Sequence, residues 1–326
     1  MPSTITLLDV MQRAESNTSR IITKNIVERS PIMGVIPWII TNNSMSYKWY
    51  QESALPTSAF RALNGSITDS VGTTLPAVTQ LKPLSSTFTI DDELSDITTV
   101  EGKQEFLQQL EMSSRAMGLL LKDKFIHGDP NAAAAEPDGL AKWIDDFDSS
   151  TNNIKQAYDG TTNGVSLTDA QTIIDQMNSL RNALYTAPSA YLCNRTILSN
   201  IQSLVATSTG TGLANIFSME DVEVAPGIRT QIGRWNGTPM YALDEDATGT
   251  EVLAFDETQG SSSLTTSIYA VTFGDQWFSG VMKRASGPRV KQNPSTFGTQ
   301  WILDNPLNFI MKHKASAGRL HGILAL

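Results

Sequence analysis

The chain has 326 residues, of which 40% are hydrophobic and 17% charged, so it is long enough for a large core and is composed like a globular protein. A net charge of −9 argues against a broad nucleic-acid-binding face, and the single cysteine, Cys193, excludes an intramolecular disulfide framework. No apolar run approaches the ~18 residues of a membrane span and no signal-peptide pattern opens the chain, so we expect a soluble product of the cytoplasm.

The first forty residues predict two short amphipathic helices and a strand. Ile21, Ile22 and Ile26 share one face of the second helix, and Pro31 ends that helix. The β-branched run at 35–40 is interrupted by Pro37, so we expect at most an edge strand there.

Residues 42–95 have no convincing core pattern, yet they are not composed like a disordered linker. Aromatic and branched apolar residues, which disordered segments lack, are scattered between Pro, Gly, Ser and Thr. Asn64-Gly65 predicts a turn near the middle of a long hairpin, with residues 87–94 as its returning strand. Compact domains rarely carry so long a connection without a functional reason. We therefore expect this segment to bury its apolar groups outside its own domain, which favours assembly over catalysis.

The clearest helix of the chain follows. Thr98 and Glu101 are spaced as a capping box, and an apolar stripe continues to Lys124, which predicts a helix of ~25 residues. The sequence Gly128-Asp129-Pro130 ends it.

The second half of the chain predicts a mixed lobe and then closing strands. A capping pair, Thr168 and Gln171, opens another helix, and the remaining predicted strands are 190–193, 267–273 turning at Gly274-Asp275 into 277–282, 297–312 and 319–324. There is no internal repeat. Helices and strands in this order indicate an α+β fold.

Few residues suggest chemistry. His127 beside Asp129 could serve a hydrolase or a metalloenzyme, but the same residues also suit a helix C-terminus, where a histidine meets the dipole favourably. Phosphate-loop and nucleophile-elbow motifs are absent, and Cys193 lies in an apolar run typical of an inert buried thiol. We expect no catalytic, cofactor or metal site.

Several segments resemble the major capsid protein family of tailed bacteriophages, whose fold also occurs in encapsulin shells. The segments that carry the resemblance are Ile26 to Ser30 with Val35-Ile36-Pro37, the Tyr47 to Ile90 hairpin, Phe125 to Asp129 as "F-x-x-G-D", Asp138-Gly139-Leu140 as "F-D-G-L", and the strands at 189–194 and 267–273. Pro137 stands in place of the aromatic residue of the "F-D-G-L" motif.

The resemblance implies a division of the chain into five parts. They are an N-terminal arm (1–45), an extended loop (46–92), a peripheral domain with a long spine helix (93–165), an axial domain (166–283) and return strands of the peripheral domain (284–326).

The resemblance also implies a non-enzymatic subunit that assembles into hexamers and pentamers of an icosahedral shell around double-stranded DNA, found in the virion and assembled in the host cytoplasm. The residues it places against neighbouring subunits are Tyr47, Trp49, Tyr50, Phe60, Arg61, Leu63, Leu81 and Leu84 of the loop and Ile21, Ile22 and Ile26 of the arm. No membrane and no sequence-specific DNA contact are expected.

The resemblance also implies other partner proteins and one alternative function for the same fold. The chain has no room for a long N-terminal scaffolding segment, so a separate scaffolding protein, or none, is expected, beside a portal protein and possible decoration proteins. Lys48 and Lys82 lie in the loop, but no matching asparagine is found for a covalent cross-link. The rival is an encapsulin-type cargo shell.

Overall fold

The computed structural model describes residues 4–13, 17–66, 68–91, 100–147, 154–157, 164–167, 169–207, 212–225, 228–295 and 298–324. The helices are α1 (Leu7–Arg13), α2 (Asn17–Arg29), α3 (Pro31–Val35), α4 (Val100–His127), α5 (Leu140–Phe147), α6 (Ala170–Asn182), α7 (Arg195–Thr207) and α8 (Leu213–Ile216). The first strands are β1 (Thr4–Ile5), β2 (Trp38–Ile40), β3 (Ser46–Ala54), β4 (Thr73–Gln80), β5 (Lys82–Asp91), β6 (Ile154–Gln156), β7 (Val165–Ser166) and β8 (Ala190–Cys193). The later strands are β9 (Phe217–Ala225), β10 (Ile228–Trp235), β11 (Thr238–Ala242), β12 (Glu257–Gln259), β13 (Ser262–Val271), β14 (Phe278–Met282), β15 (Arg289–Ser295), β16 (Gly298–Met311) and β17 (Ala317–Leu324).

A six-stranded sheet, in the order β1-β2-β14-β16-β15 with β5 also paired to β16, carries the long helix. Its organising strand is β16, which pairs with β14 at its C-terminal end and with β5 along Gly298 to Leu307. Helix α2 packs on α4 at Gly118, where an added Cβ would lie 3.1 Å from the Cα of Ile26. The close approach of the two helices therefore favours glycine at position 118.

A second, nine-stranded sheet forms the other half of the molecule, in the order β6-β17-β13-β8-β11-β10-β9 with β12 and β7 added at β13 and β17. Helices α6 and α7 bury their apolar stripes against it, including Ile173, Met177 and Ile197. Helix α6 begins at Asp169, whose carboxylate accepts a hydrogen bond from the Thr172 backbone N–H at 3.1 Å. The predicted cap residue Thr168 lies outside the described residues, as does Thr98 of the α4 capping box.

Most predicted elements are confirmed. Helix α2 ends at Arg29, before Pro31, and α4 runs over 28 residues to His127, immediately before Gly128-Asp129-Pro130. Strands β8, β16 and β17 lie within two residues of the predicted bounds.

Three strand predictions are wrong. The strand β2 is not at an edge, because Pro37 precedes it and leaves its N–H groups free to pair between β1 and β14. The returning strand of the hairpin is β4, whereas β5 pairs with β16, Phe88 opposite Trp301. Gly274-Asp275 does not close a hairpin, since β13 and β14 lie in different sheets.

Two parts of the predicted division can be compared with the sheets and the core. Apolar residues of the predicted N-terminal arm, including Ile5, Ile26 and Trp38, are buried in the core of the same chain. Strand β17, predicted as a return strand of the peripheral domain, pairs with β13 in the nine-stranded sheet. The chain thus crosses between the sheets after β13 and again after β16, a non-local arrangement that residue patterns do not specify.

We expect Gly280→Ala to destabilise the subunit, because a Cβ at this position in β14 would overlap the buried ring of Trp38. Overpacking of this kind costs about 1–3 kcal/mol. Urea unfolding followed by circular dichroism measures the loss, and an unchanged midpoint would contradict this packing.

Candidate assembly surface

Strands β3 and β4 form a two-stranded hairpin that projects from the six-stranded sheet, with Ser46 opposite Gln80 at its base and Ala54 opposite Thr73 at its end. Nine residues at about 3.3 Å each make β3 about 30 Å long. The connecting residues, 55–72, contain only two charged side chains, Arg61 and Asp69.

One face of the hairpin is anchored on its own subunit by Trp49. This side chain is 4% exposed, and its ring meets Trp143 of α5 edge-on at a centroid distance of 6.1 Å. Its indole Nε1–H donates to the Thr79 hydroxyl across the hairpin at 3.0 Å. Trp143 in turn donates to the Phe309 carbonyl at 3.1 Å, so the contact is fixed to β16. Such an aromatic pair adds roughly 0.5–1.5 kcal/mol to the gain from burial.

The base of the hairpin is held by a second, smaller apolar cluster. Leu81, Ile39, Val281 and Ile310 are buried together, and Tyr47 packs against them. The ammonium of Lys312 lies 5.7 Å from the Tyr47 ring centroid, a cation–π contact. The hairpin therefore leaves the subunit from a fixed base.

The far part of the hairpin and its connection are apolar and uncovered. Among the described residues, thirteen large hydrophobic side chains are exposed, and eight of these fall between Met45 and Val78. They are Met45, Tyr50, Leu55, Phe60, Leu63, Val71, Leu75 and Val78, which we call the hairpin apolar surface. A concentration of this kind on a soluble protein marks an interaction site.

The connecting residues keep a defined local geometry despite this exposure. Asn64 has a φ of +66° in a turn closed by the Gly65 backbone N–H, which donates to the Ala62 carbonyl at 2.9 Å, and Arg61 Nη1 donates to the Gly65 carbonyl at 3.1 Å. The Thr57 backbone N–H donates to the Ser70 hydroxyl at 2.8 Å, which links the two sides of the connection. Hydrogen bonds within the connection therefore hold the backbone on both sides of Phe60.

The predicted contact residues separate into three groups by their exposure. Tyr50, Phe60, Arg61 and Leu63 are exposed and stay predicted contacts, and Tyr47, Leu84 and Ile21 are partly buried against their own chain. The side chains of the third group, Trp49, Leu81, Ile22 and Ile26, are at most 4% exposed and are buried within their own chain, and their contacts with a neighbour stay predictions. The contacts predicted from the sequence omit five exposed members of the hairpin apolar surface, although all of them lie in the segment that the sequence singles out: Met45, Leu55, Val71, Leu75 and Val78.

His127 and Asp129 do not converge on a common centre. His127 Nε2 lies 2.6 Å from the Val252 carbonyl, whereas the Asp129 carboxylate accepts from the Asn131 backbone N–H at 2.8 Å in a turn. Each side chain therefore has a structural partner of its own, and the two partners lie in different parts of the chain. In the part of the chain that the structure describes, no group of three or more His, Cys, Asp or Glu residues could hold a metal ion.

Cys193 is fully buried in β8, and its Sγ lies 3.9 Å from the Tyr241 carbonyl. Burial raises the pKa of this thiol to about 12, so it stays protonated and unreactive at neutral pH. Within the described residues, no helix is long and apolar enough to cross a membrane.

The two faces of β3 allow a matched test of the anchor. We expect Trp49→Ala to cost about 3–5 kcal/mol or to undock the hairpin, since it removes a buried indole. Tyr50→Ala, at the next position and 68% exposed, is expected to change stability by less than about 0.5 kcal/mol. Thermal unfolding with hydrogen exchange of the β3 and β4 amides distinguishes the two variants, and equal effects would contradict the anchor.

Comparison with known proteins agrees with this architecture. The family model "Major capsid protein GP7" matches residues 15–174, just under half of the chain. No curated protein matches the sequence. The chain is similar in structure to the SrpI encapsulin of Synechococcus elongatus, with a TM-score of 0.59, 10% identity and coverage of 90% of this chain and 87% of that one.

Two structures from phages give similar values. For Mycobacterium phage Bobi the TM-score is 0.56 at 11% identity, covering 89% of each chain. For the capsid of cyanophage A-1(L) it is 0.55 at 11% identity, covering 95% of this chain and 94% of that one.

The chain therefore has the fold of phage capsid and encapsulin subunits, and the structural similarity extends over most of its length. The family model covers α2, the hairpin and the long helix, which carry the motifs of the resemblance. Over residues 15–174 the chain is similar to the phage major capsid protein family, and over most of its length it shares the fold of phage capsid subunits.

Proposed function

We propose that this chain is a major capsid protein that assembles into hexamers and pentamers of an icosahedral shell around double-stranded DNA, and that the hairpin apolar surface lies on a neighbouring subunit. In this proposal the six-stranded sheet with α4 is the peripheral domain and the nine-stranded sheet is the axial domain. Copies of the chain are its main partners. A separate scaffolding protein, a portal protein and possible decoration proteins complete the assembly.

The exposed connection on an anchored hairpin is the observation that carries the proposal. Trp49 fixes the hairpin to its own subunit, while Phe60 and Leu63 project with no cover from the described residues. Obligate assemblies bury about 2,000–5,000 Å² per interface and are rich in apolar contacts, which the hairpin apolar surface provides. A free monomer would keep these side chains in water at a cost of about 25 cal/mol per Å².

The role in the shell is structural, without catalysis. The side chains of the two residues considered for chemistry are engaged in hydrogen bonds, His127 with the Val252 carbonyl and Asp129 with the Asn131 backbone N–H. Replacing either one is expected to leave shell formation intact if the fold is kept.

A cargo shell of the encapsulin type is the second candidate, since the SrpI encapsulin shares the fold over 90% of this chain. The two functions differ in what the shell contains. A phage capsid takes up DNA and needs a portal, whereas an encapsulin takes up protein and closes without one.

Electron microscopy of the expressed protein, with and without a co-expressed scaffold, tests assembly directly. Closed shells with hexamers and pentamers would support the proposal. Nuclease-protected DNA in shells made in phage-infected cells would favour the capsid, and co-purified cargo protein would favour the encapsulin. A monodisperse compact monomer under all these conditions would contradict both.

A further inference from the structure

One cavity lined by described residues is separate from the hairpin apolar surface. It measures about 710 Å³ and lies beside α2, between the loop that follows β14 and the start of β15. Three cations line it, Lys283, Arg284 and Arg289, and no aspartate or glutamate is among its described lining residues. In a chain of net charge −9 this is a local reversal of charge.

Two of these cations are free to meet a ligand. Arg284 is largely neutralised by Asp304, whose carboxylate lies 3.5 Å from its guanidinium. For Lys283 and Arg289, no carboxylate of the described residues lies within ion-pair distance. Arg289 is exposed and Lys283 half-buried, so both can turn their charge toward an occupant.

The loop that carries the cations is held in place. Gly287 has a φ of +80°, and a Cβ there would lie 2.9 Å from a methyl of Val10, so glycine is required. The Ser19 hydroxyl of α2 donates to the Pro288 carbonyl at 3.0 Å, and the Asn43 N–H donates to the Lys283 carbonyl at 3.1 Å. A fixed loop lowers the entropy cost of binding.

Other lining groups complement the charge. The first turn of α2, with Thr18 and Ser19, borders the cavity and adds the positive end of a 13-residue helix. Asn42, Asn43 and Gln292 supply neutral hydrogen-bonding groups. On the apolar side are the rings of Phe106 and Trp301, whose centroids are 4.5 Å apart.

We propose that this cavity is a phosphate-binding site, with Lys283 and Arg289 as its charged ligands, and that it takes phosphate groups of a nucleic acid strand. The planar guanidinium of Arg289 and the ammonium of Lys283 are donors that suit phosphate oxygens. The choice of a nucleic acid as the source of the phosphate rests on the proposed enclosure of DNA. The phosphate-binding site itself does not depend on that proposal. Free pyrophosphate would use the same chemistry.

Calorimetry on the purified chain, with sodium pyrophosphate and with a single-stranded oligothymidine as separate probes, tests the site. The double variant Lys283→Gln/Arg289→Gln is expected to weaken pyrophosphate binding about tenfold or more, as expected from losing charge-assisted hydrogen bonds. For the oligonucleotide, the logarithm of the binding constant falls as the logarithm of the salt concentration rises. Loss of two phosphate contacts should make this negative slope less steep by about 1.4. Binding of pyrophosphate without the oligonucleotide supports the site with free phosphate as its source.

Two further variants test the site independently if the double variant folds poorly. Gln292→Glu leaves both cations in place and adds a negative charge to the cavity, so it should weaken both probes. Lys24→Gln removes an exposed cation of α2 that does not line the cavity and should leave binding unchanged. Absence of binding to both probes, or equal losses in Lys24→Gln and the double variant, overturns the proposal. Electron microscopy of the same samples reports shell formation separately, so failure of assembly and failure of the site are distinguishable.

Discussion

Replacing residues 55–72 by the dipeptide Asn-Gly is expected to give a folded, soluble subunit that forms no closed shell. Ala54 and Thr73 are directly paired at the end of the hairpin, so a two-residue turn closes it without a change of register. Asn-Gly suits this position because both residues accept the positive φ of a type I′ turn. The replacement deletes Leu55, Phe60, Leu63 and Val71, half of the hairpin apolar surface, and leaves the Trp49 anchor in place.

Thermal unfolding should show a midpoint close to that of the parent chain, and electron microscopy with sedimentation should show monomers or small oligomers only. An equal-length Gly/Ser replacement of the same residues is the matched control. It keeps the reach of the connection and removes its apolar side chains, so it should also fail to assemble. Closed shells from the Asn-Gly variant would show that the connection is not required, and shells from the Gly/Ser variant alone would show that its length matters and its side chains do not.

Local patterns gave reliable predictions where the periodicity was long or the turn chemistry specific. Helix α4 follows from one apolar stripe and a Gly-Asp-Pro end, and the turn at Asn64 follows from a residue that tolerates positive φ. Both depend on neighbours in sequence, so no knowledge of the tertiary fold was needed.

Strand pairing was less predictable, because it depends on residues far apart in sequence. The segment 82–91 alternates like a hairpin strand, yet its partner is β16, more than two hundred residues later. Alternation specifies a strand with two faces but not the neighbour that it pairs with. The same reason explains the assignment of β17, which follows β16 directly and joins the other sheet.

The site prediction was limited in a similar way. Tyr50 and Trp49 are adjacent aromatic residues, and both were expected to contact a neighbour. In the structure β3 turns them to opposite faces, so Trp49 packs on Trp143 while Tyr50 faces solvent. The period of the strand gives the alternation, but only the position of α5 decides which face is covered.

Phe60→Asp is expected to block shell formation while leaving the subunit as stable as before. The Phe60 ring is fully exposed in the single chain, so its replacement removes no intramolecular burial, and surface changes of this kind stay within about 0.5 kcal/mol. Against a neighbouring subunit, the lost burial of a phenylalanine is worth about 1.5–3 kcal/mol, and a charge in that contact adds a desolvation cost. A change of this size lowers each subunit association constant by more than about tenfold.

Light scattering during assembly over a range of protein concentrations measures this effect. The variant should need at least tenfold more protein to form shells, at an unchanged unfolding midpoint. Ser58→Asp is the matched control, since it adds the same charge two residues away at an exposed polar position and should assemble nearly as the parent does. If both variants lose assembly equally, the effect comes from charge in the connection and not from the Phe60 ring. If Phe60→Asp assembles normally, this ring is not buried between subunits, and the contact must be made by other members of the hairpin apolar surface.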